Sequence, residues 1–260
     1  MQPIHKSEEL LSKMASMLQS GQTIDDMSLM RYINDINKYF SGLEKNYALG
    51  IAYGLNKNIQ KSIYYFELAL QVPNGDYALG YLSIICNLGS TRQARELSAR
   101  LATEYESKIF AKFAFQYSLF FADLKMMGVF MTQWIKLSLN EERMKLQEEL
   151  KKASSALSKF RDMAGFSQPE TEMLSGIIMD LIDDNNYQVL SVEYISDNRF
   201  DEPINSYMVT TNCSTASTLA DMNMDLAFKF ADHEEFLGKK FSVYIKGSDS
   251  DAGSEASSCQ

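Results

Sequence analysis

The chain has 260 residues, 45% apolar and 23% charged, which is ordinary for a globular protein and enough to bury one or two cores. Three scattered cysteines, Cys86, Cys213 and Cys259, exclude a disulfide framework and point to a reducing, cytoplasmic setting. The net charge of −9 is uneven: residues 165–260 hold 17 acidic and 5 basic side chains, net −12, and the first 164 hold 17 and 20, net +3. An acidic second half excludes nucleic acid as its direct ligand, because phosphate binding needs cationic side chains.

The start, Met1 to Leu11, has no charged segment followed by an apolar one, so no signal peptide is expected. Ser7 is expected to cap a first helix that runs to Gln19 and stops at Gly21. Thr23, with Asp26 three residues on, is expected to cap a second that ends at Gly42. From Leu43 the chain repeats itself: Tyr47-Ala48-Leu49-Gly50 recurs as Tyr77-Ala78-Leu79-Gly80. After the first copy, Ile59, Ile63, Phe66 and Leu70 fall at helical spacing, and Pro73-Asn74-Gly75 ends the element. After the second, Asn87-Leu88-Gly89 makes a turn, and Ala94, Leu97 and Leu101 form the next apolar stripe. Each unit is therefore a helix, a turn and a second helix, and such pairs bury their apolar faces only by stacking on neighbours.

The segment 43–104 resembles the tetratricopeptide repeat family and its Sel1-like relatives. The first unit carries Leu49-Gly50, Ala52 and Tyr53, then Phe66, Ala69 and Pro73, with Ser62 where the family usually has Ala. The second keeps Leu88-Gly89 and Ala94 but places Ser98 where a large aromatic is expected. The tetrapeptide copies lie 30 residues apart and the second-helix landmarks Ser62 and Ala94 lie 32 apart, so both family assignments stand. Residues 104–139 fit a degenerate third unit. Lys112, Asp123, Lys125 and Lys136 interrupt its apolar stretch, so no membrane span is expected there. The resemblance implies an α-helical repeat solenoid that holds a peptide or helix of another protein in its groove. In similar proteins the first helices of each pair line that groove, which makes Tyr53, Asn56 and Tyr81 the candidate contact residues.

Residues 140–163 read as a capping helix with Leu146, Leu150, Ala153, Leu157 and Phe160 in one stripe. A boundary is expected at Ala164-Gly165-Phe166, giving a helical domain over 1–164. Ser167, Pro169 and Glu170 form a helix start. That helix ends in Asp183-Asp184-Asn185-Asn186, where the period changes from 3.6 to 2. Strands follow at Leu190–Tyr194, at Tyr207–Thr211 after Pro203, and at Phe241–Ile245 after a helix near 218–235. The order α-β-β-α-β implies a small acidic α+β domain over 165–247. The tail, 248–260, is Ser, Gly and acid, and is expected to be disordered.

Candidate chemistry is sparse. His5 and His233 have no metal-ligand spacing, and Asp249, Asp251, Gly253 and Glu255 lack the ligand order of a calcium loop. Cys213 is read as a turn residue, without a base to activate it. No phosphate loop or nucleophile elbow occurs, so no catalytic residue, cofactor or metal is expected. The sequence therefore predicts a non-enzymatic adaptor or chaperone-like scaffold. The alternative is an acidic inhibitor or immunity-type protein that covers a basic surface of an enzyme or nucleic-acid-binding protein, with Asp180, Asp183 and Asp184 as its contacts.

Overall fold

The computed structural model describes residues 3–197 and 204–248. The expected tail beyond Ser248, with the calcium-like residues Asp249 to Glu255 and Cys259, lies outside them. The chain divides into two compact units, Met1–Leu97 and Ser98–Gln260. Among the described residues, helices dominate, and a three-stranded sheet comes late in the chain.

The first unit contains α1 (Pro3–Gln19), α2 (Asp26–Tyr39), α3 (Gly42–Leu55), α4 (Ile59–Ala69), α5 (Gly75–Leu88) and the first half of α6 (Thr91–Glu104). Two expected caps fall elsewhere. Pro3 starts α1 one turn early, a position proline favours, so Ser7 is a buried residue inside it. Asp25, not Thr23, caps α2: its carboxylate accepts the Ser28 N–H at 2.7 Å, which lowers its pKa. A carboxylate there also complements the helix dipole.

Packing explains the repeated tetrapeptide. Ala48 and Ala78 are fully buried, where α3 meets α4 and α5. The two tyrosines stack on each other with ring centres 4.4 Å apart. Each glycine accommodates a ring: a Cβ on Gly50 would lie 2.9 Å from Phe66, and one on Gly80 would lie 2.5 Å from the Tyr47 hydroxyl. Ser62, the departure from the usual Ala, donates its hydroxyl to the Gly50 carbonyl at 2.7 Å inside this contact. Phe66 is fully buried and stacks on Tyr81 at 4.9 Å.

The second unit continues through α7 (Lys108–Phe120), α8 (Leu124–Leu137), α9 (Asn140–Ala164), α10 (Gln168–Asp184), β1 (Val189–Asp197), β2 (Ile204–Thr211), α11 (Ala216–Ala231) and β3 (Ser242–Gly247). The expected order of helix, strand, strand, helix, strand is the order observed after Gly165. Ser167 and Glu170 make the anticipated reciprocal cap on α10. Strand β2 is central, antiparallel to β1 and parallel to β3. Along the outer edge of β3, Asn223 of α11 accepts the Ile245 N–H and donates to its carbonyl, both at 2.8 Å.

Gly165 closes α9 in the left-handed conformation, φ +68°, and it lies inside this second unit. Side chains pack across it: Phe160 of α9 meets Tyr194 and Tyr207 at 5.4 and 6.1 Å, and Asn205 donates to the Phe160 carbonyl at 3.1 Å. Those two tyrosines stack at 4.5 Å and reach the end of α7. Tyr194 donates to the Leu119 carbonyl at 3.1 Å and Tyr207 to that of Phe120 at 2.9 Å. Carbonyls of a last helical turn have no partner within the helix: Tyr207 supplies one for Phe120, and Tyr194 adds a donor to Leu119, which also accepts the Ala122 N–H at 3.1 Å.

Burial pushes both phenols up, that of Tyr207 to about 12. Unfolded, each ionises at about 10. The neutral form is the one the fold favours, so stability is complete below pH ~10 and is lost as pH rises towards ~12. By about pH 11 Tyr207 alone should account for roughly 1.4 kcal/mol of that loss, one unit of pH between the two pKa values. Urea unfolding at about pH 8 and about pH 11 measures it. The variant Tyr207→Phe should be weaker at the lower pH and should decline less between the two.

Candidate functional site

The three expected groove residues are not placed alike. Tyr81 is 4% exposed and stacked on Phe66, so it belongs to the core and offers a partner no surface. The 30-residue offset of the repeat explains this, because it pairs Tyr81 with Ile51, also 4% exposed. Asn56 ends α3 and ties down the preceding loop, donating to the Ile24 carbonyl at 3.2 Å and to Asp26 at 3.1 Å. Tyr53 is half-buried, and its ring stacks on Tyr65 at 5.3 Å with only 3° between the planes.

Tyr65 in turn meets Tyr64 edge-to-face at 5.1 Å, and Tyr64 is 58% exposed. Lys61 lies over the Tyr53 ring at 5.1 Å. These four side chains come from the paired helices α3 and α4. Burial raises the Tyr65 hydroxyl's pKa, as do the neighbouring phenols Tyr53 and Tyr64, so this hydroxyl stays a donor at ordinary pH. Chemically it is a rigid aromatic surface with hydroxyls at its rim, suited to apolar and hydrogen-bonding side chains. Tyr64 and Tyr65 were legible from their run, Tyr64-Tyr65-Phe66. Successive helical residues point about 100° apart, so three aromatics in a row on a helix with one buried face bring at least one to the surface.

Asp180, Asp183 and Asp184 stand at the end of α10, with the first two half-buried and Asp184 exposed. Cys213 is buried, its N–H donated to the Thr211 hydroxyl and its thiol directed at the Thr215 carbonyl at 3.7 Å. The Cys213 carbonyl comes so close to Gly247 that a Cβ there would lie 2.3 Å from it. The His233 imidazole sits 3.8 Å from Glu235 and beside Phe236. No group of three or more His, Cys, Asp and Glu side chains is placed to share a metal ion among the described residues. A cleft of about 890 Å3 in the first unit, lined by α1 and α2, mixes Glu9 and Asp35 with Lys13 and Arg31. Its charges balance and single out no ligand class. None of the helices in the described residues is long and apolar enough to cross a membrane.

No protein-family model, curated protein or solved structure matches this chain. The resemblance to tetratricopeptide repeats therefore rests on the residues quoted for it alone.

Proposed function

We propose that the chain is a non-enzymatic protein-binding scaffold of the adaptor or chaperone-like kind, built on a helical-repeat array and working in the cytoplasm. The scarcity of cysteine supports that location. The tyrosine cluster Tyr53, Tyr65 and Tyr64 is the observation that carries the reading. Large aromatics held at a surface by stacking on one another lose little conformational freedom on binding, which is why they serve as energetic anchors. The partner is a peptide or helix of another protein, and Tyr64 is its central contact.

Site-specific photo-crosslinking in the native host tests this. A benzoylphenylalanine at Tyr64 should capture one discrete protein, and the same probe at Val72, also exposed, should not. Purified, that protein should bind the Tyr53→Ala, Tyr64→Ala double variant on the order of tenfold or more weakly. Capture from both positions alike, or unchanged affinity of the double variant, would remove the cluster from the function.

A further inference from the structure

Helix α11 buries one side and leaves the other bare. Met222 and Leu226 face inward at 1% exposed, and Asn223 is engaged with β3. On the opposite side Met224 and Phe228 are 60% and 65% exposed. Ser217, Ala220, Ala227 and Ala231 share that side and are exposed as well. At about 100° per residue these six fall within one stripe, spaced every third or fourth position. Asp221, Asp225 and Asp232 then fall together along one flank of the stripe, all exposed. The stripe holds small residues about two large ones, which lets another backbone come near and seat its side chains beside Met224 and Phe228.

The charge row decides what the occupant is. The chain's own segment 249–260 carries Asp249, Asp251 and Glu255, no basic residue and no large apolar side chain, so it is repelled and has no anchor to offer. A second copy laid antiparallel is related by a twofold axis normal to the plane of the two helices. That axis keeps the aspartate row of each copy on the same side, so six carboxylates would gather there with only Lys229 of each copy as counter-charge. Anionic lipid is repelled for the same reason. We infer that α11 is a docking face for a basic amphipathic helix of another protein, one that seats apolar side chains beside Met224 and Phe228 and runs Lys or Arg along Asp221, Asp225 and Asp232. This is recognition of a helix by its apolar face, with charge setting register and partner choice. It is independent of the tyrosine cluster, which lies in the other unit.

Titration of the full chain with two synthetic helical peptides of about 18 residues tests it. Both have the same leucine stripe, and one flank is lysine in the first and glutamate in the second. The lysine peptide should bind and shift the methyl NMR signal of Met224. Phe228→Ser should weaken it on the order of tenfold. Asp221→Asn with Asp225→Asn and Asp232→Asn should do the same at low salt, and much less at high salt. All four positions are exposed, and an unchanged melting temperature confirms that each variant is folded. Asp183→Asn with Asp184→Asn, at the end of α10, should leave binding as it was. Equal binding of the glutamate peptide would overturn the inference. So would loss of binding in the α10 variant alone, a Phe228-dependent dimer in sedimentation, or Phe228-dependent binding to phosphatidylcholine vesicles.

Discussion

Replacing Phe66 by Ala should lower stability by about 4 kcal/mol, within the range for a large buried aromatic. The ring is fully buried, stacked on Tyr81, edge-on to Tyr47 and seated over Gly50. Its removal leaves a cavity bounded by α3, α4 and α5, which rigid helices do not fill by collapse. Thermal unfolding measures the loss, and a second substitution localises it. Gly50→Ala in the native background puts a Cβ 2.9 Å from the ring and should destabilise. In the Phe66→Ala background the obstruction is gone. Only the helical preference for Ala over Gly remains, so the same change should be neutral or stabilising by up to about 1 kcal/mol. Additive effects would mean that ring and glycine do not meet.

A chain cut back to residues 1–164 should show the second large effect. The change of period at Gly165 predicts that this fragment folds independently. The packing across Gly165 predicts that its residues 98–164 do not. Without the sheet, Phe160 loses Tyr194 and Tyr207, and the Leu119 and Phe120 carbonyls lose their phenol donors. Uncovering one large aromatic core residue and losing two hydrogen bonds costs several kcal/mol together, a large part of the whole stability of a small domain. Hydrogen exchange separates the two expectations. Residues 108–137 should exchange nearly unprotected in the fragment and slowly in the full chain. Equal protection would establish Gly165 as a true domain boundary.

Local signals made much of the architecture legible. The cap on α10 is a matter of four consecutive residues, and the alternation of β1 around Val192, Glu193 and Tyr194 follows from having one buried face, whereas the central strand β2 is buried at consecutive positions from Asn205 to Val209. The YALG repeat marked the α3–α5 contact because a glycine under an aromatic ring leaves a trace in composition. The site was less legible, since periodicity says that a helix has two faces without saying which one meets the next helix. Tyr53 and Tyr81 looked equivalent by residue type, but the repeat's own offset places Tyr81 with buried Ile51 and Tyr53 with Ser83. The α11 stripe was hidden for another reason: Ala, Ser and Met in a helix read as core, and only the inward turn of Met222 and Leu226 shows the remainder to be bare.

The amide of Asn223 has a consequence for how this protein keeps company. A bare strand edge is a template on which other chains can add strands, one after another, into fibres. At Ile245 that template is already read, because the Asn223 side chain imitates one peptide unit of a fourth strand and then stops. Growth by strand addition is blocked there while the sheet itself stays three strands wide. Association along that margin is therefore left to side chains, which recognise particular partners, and denied to backbone pairing, which accepts almost any.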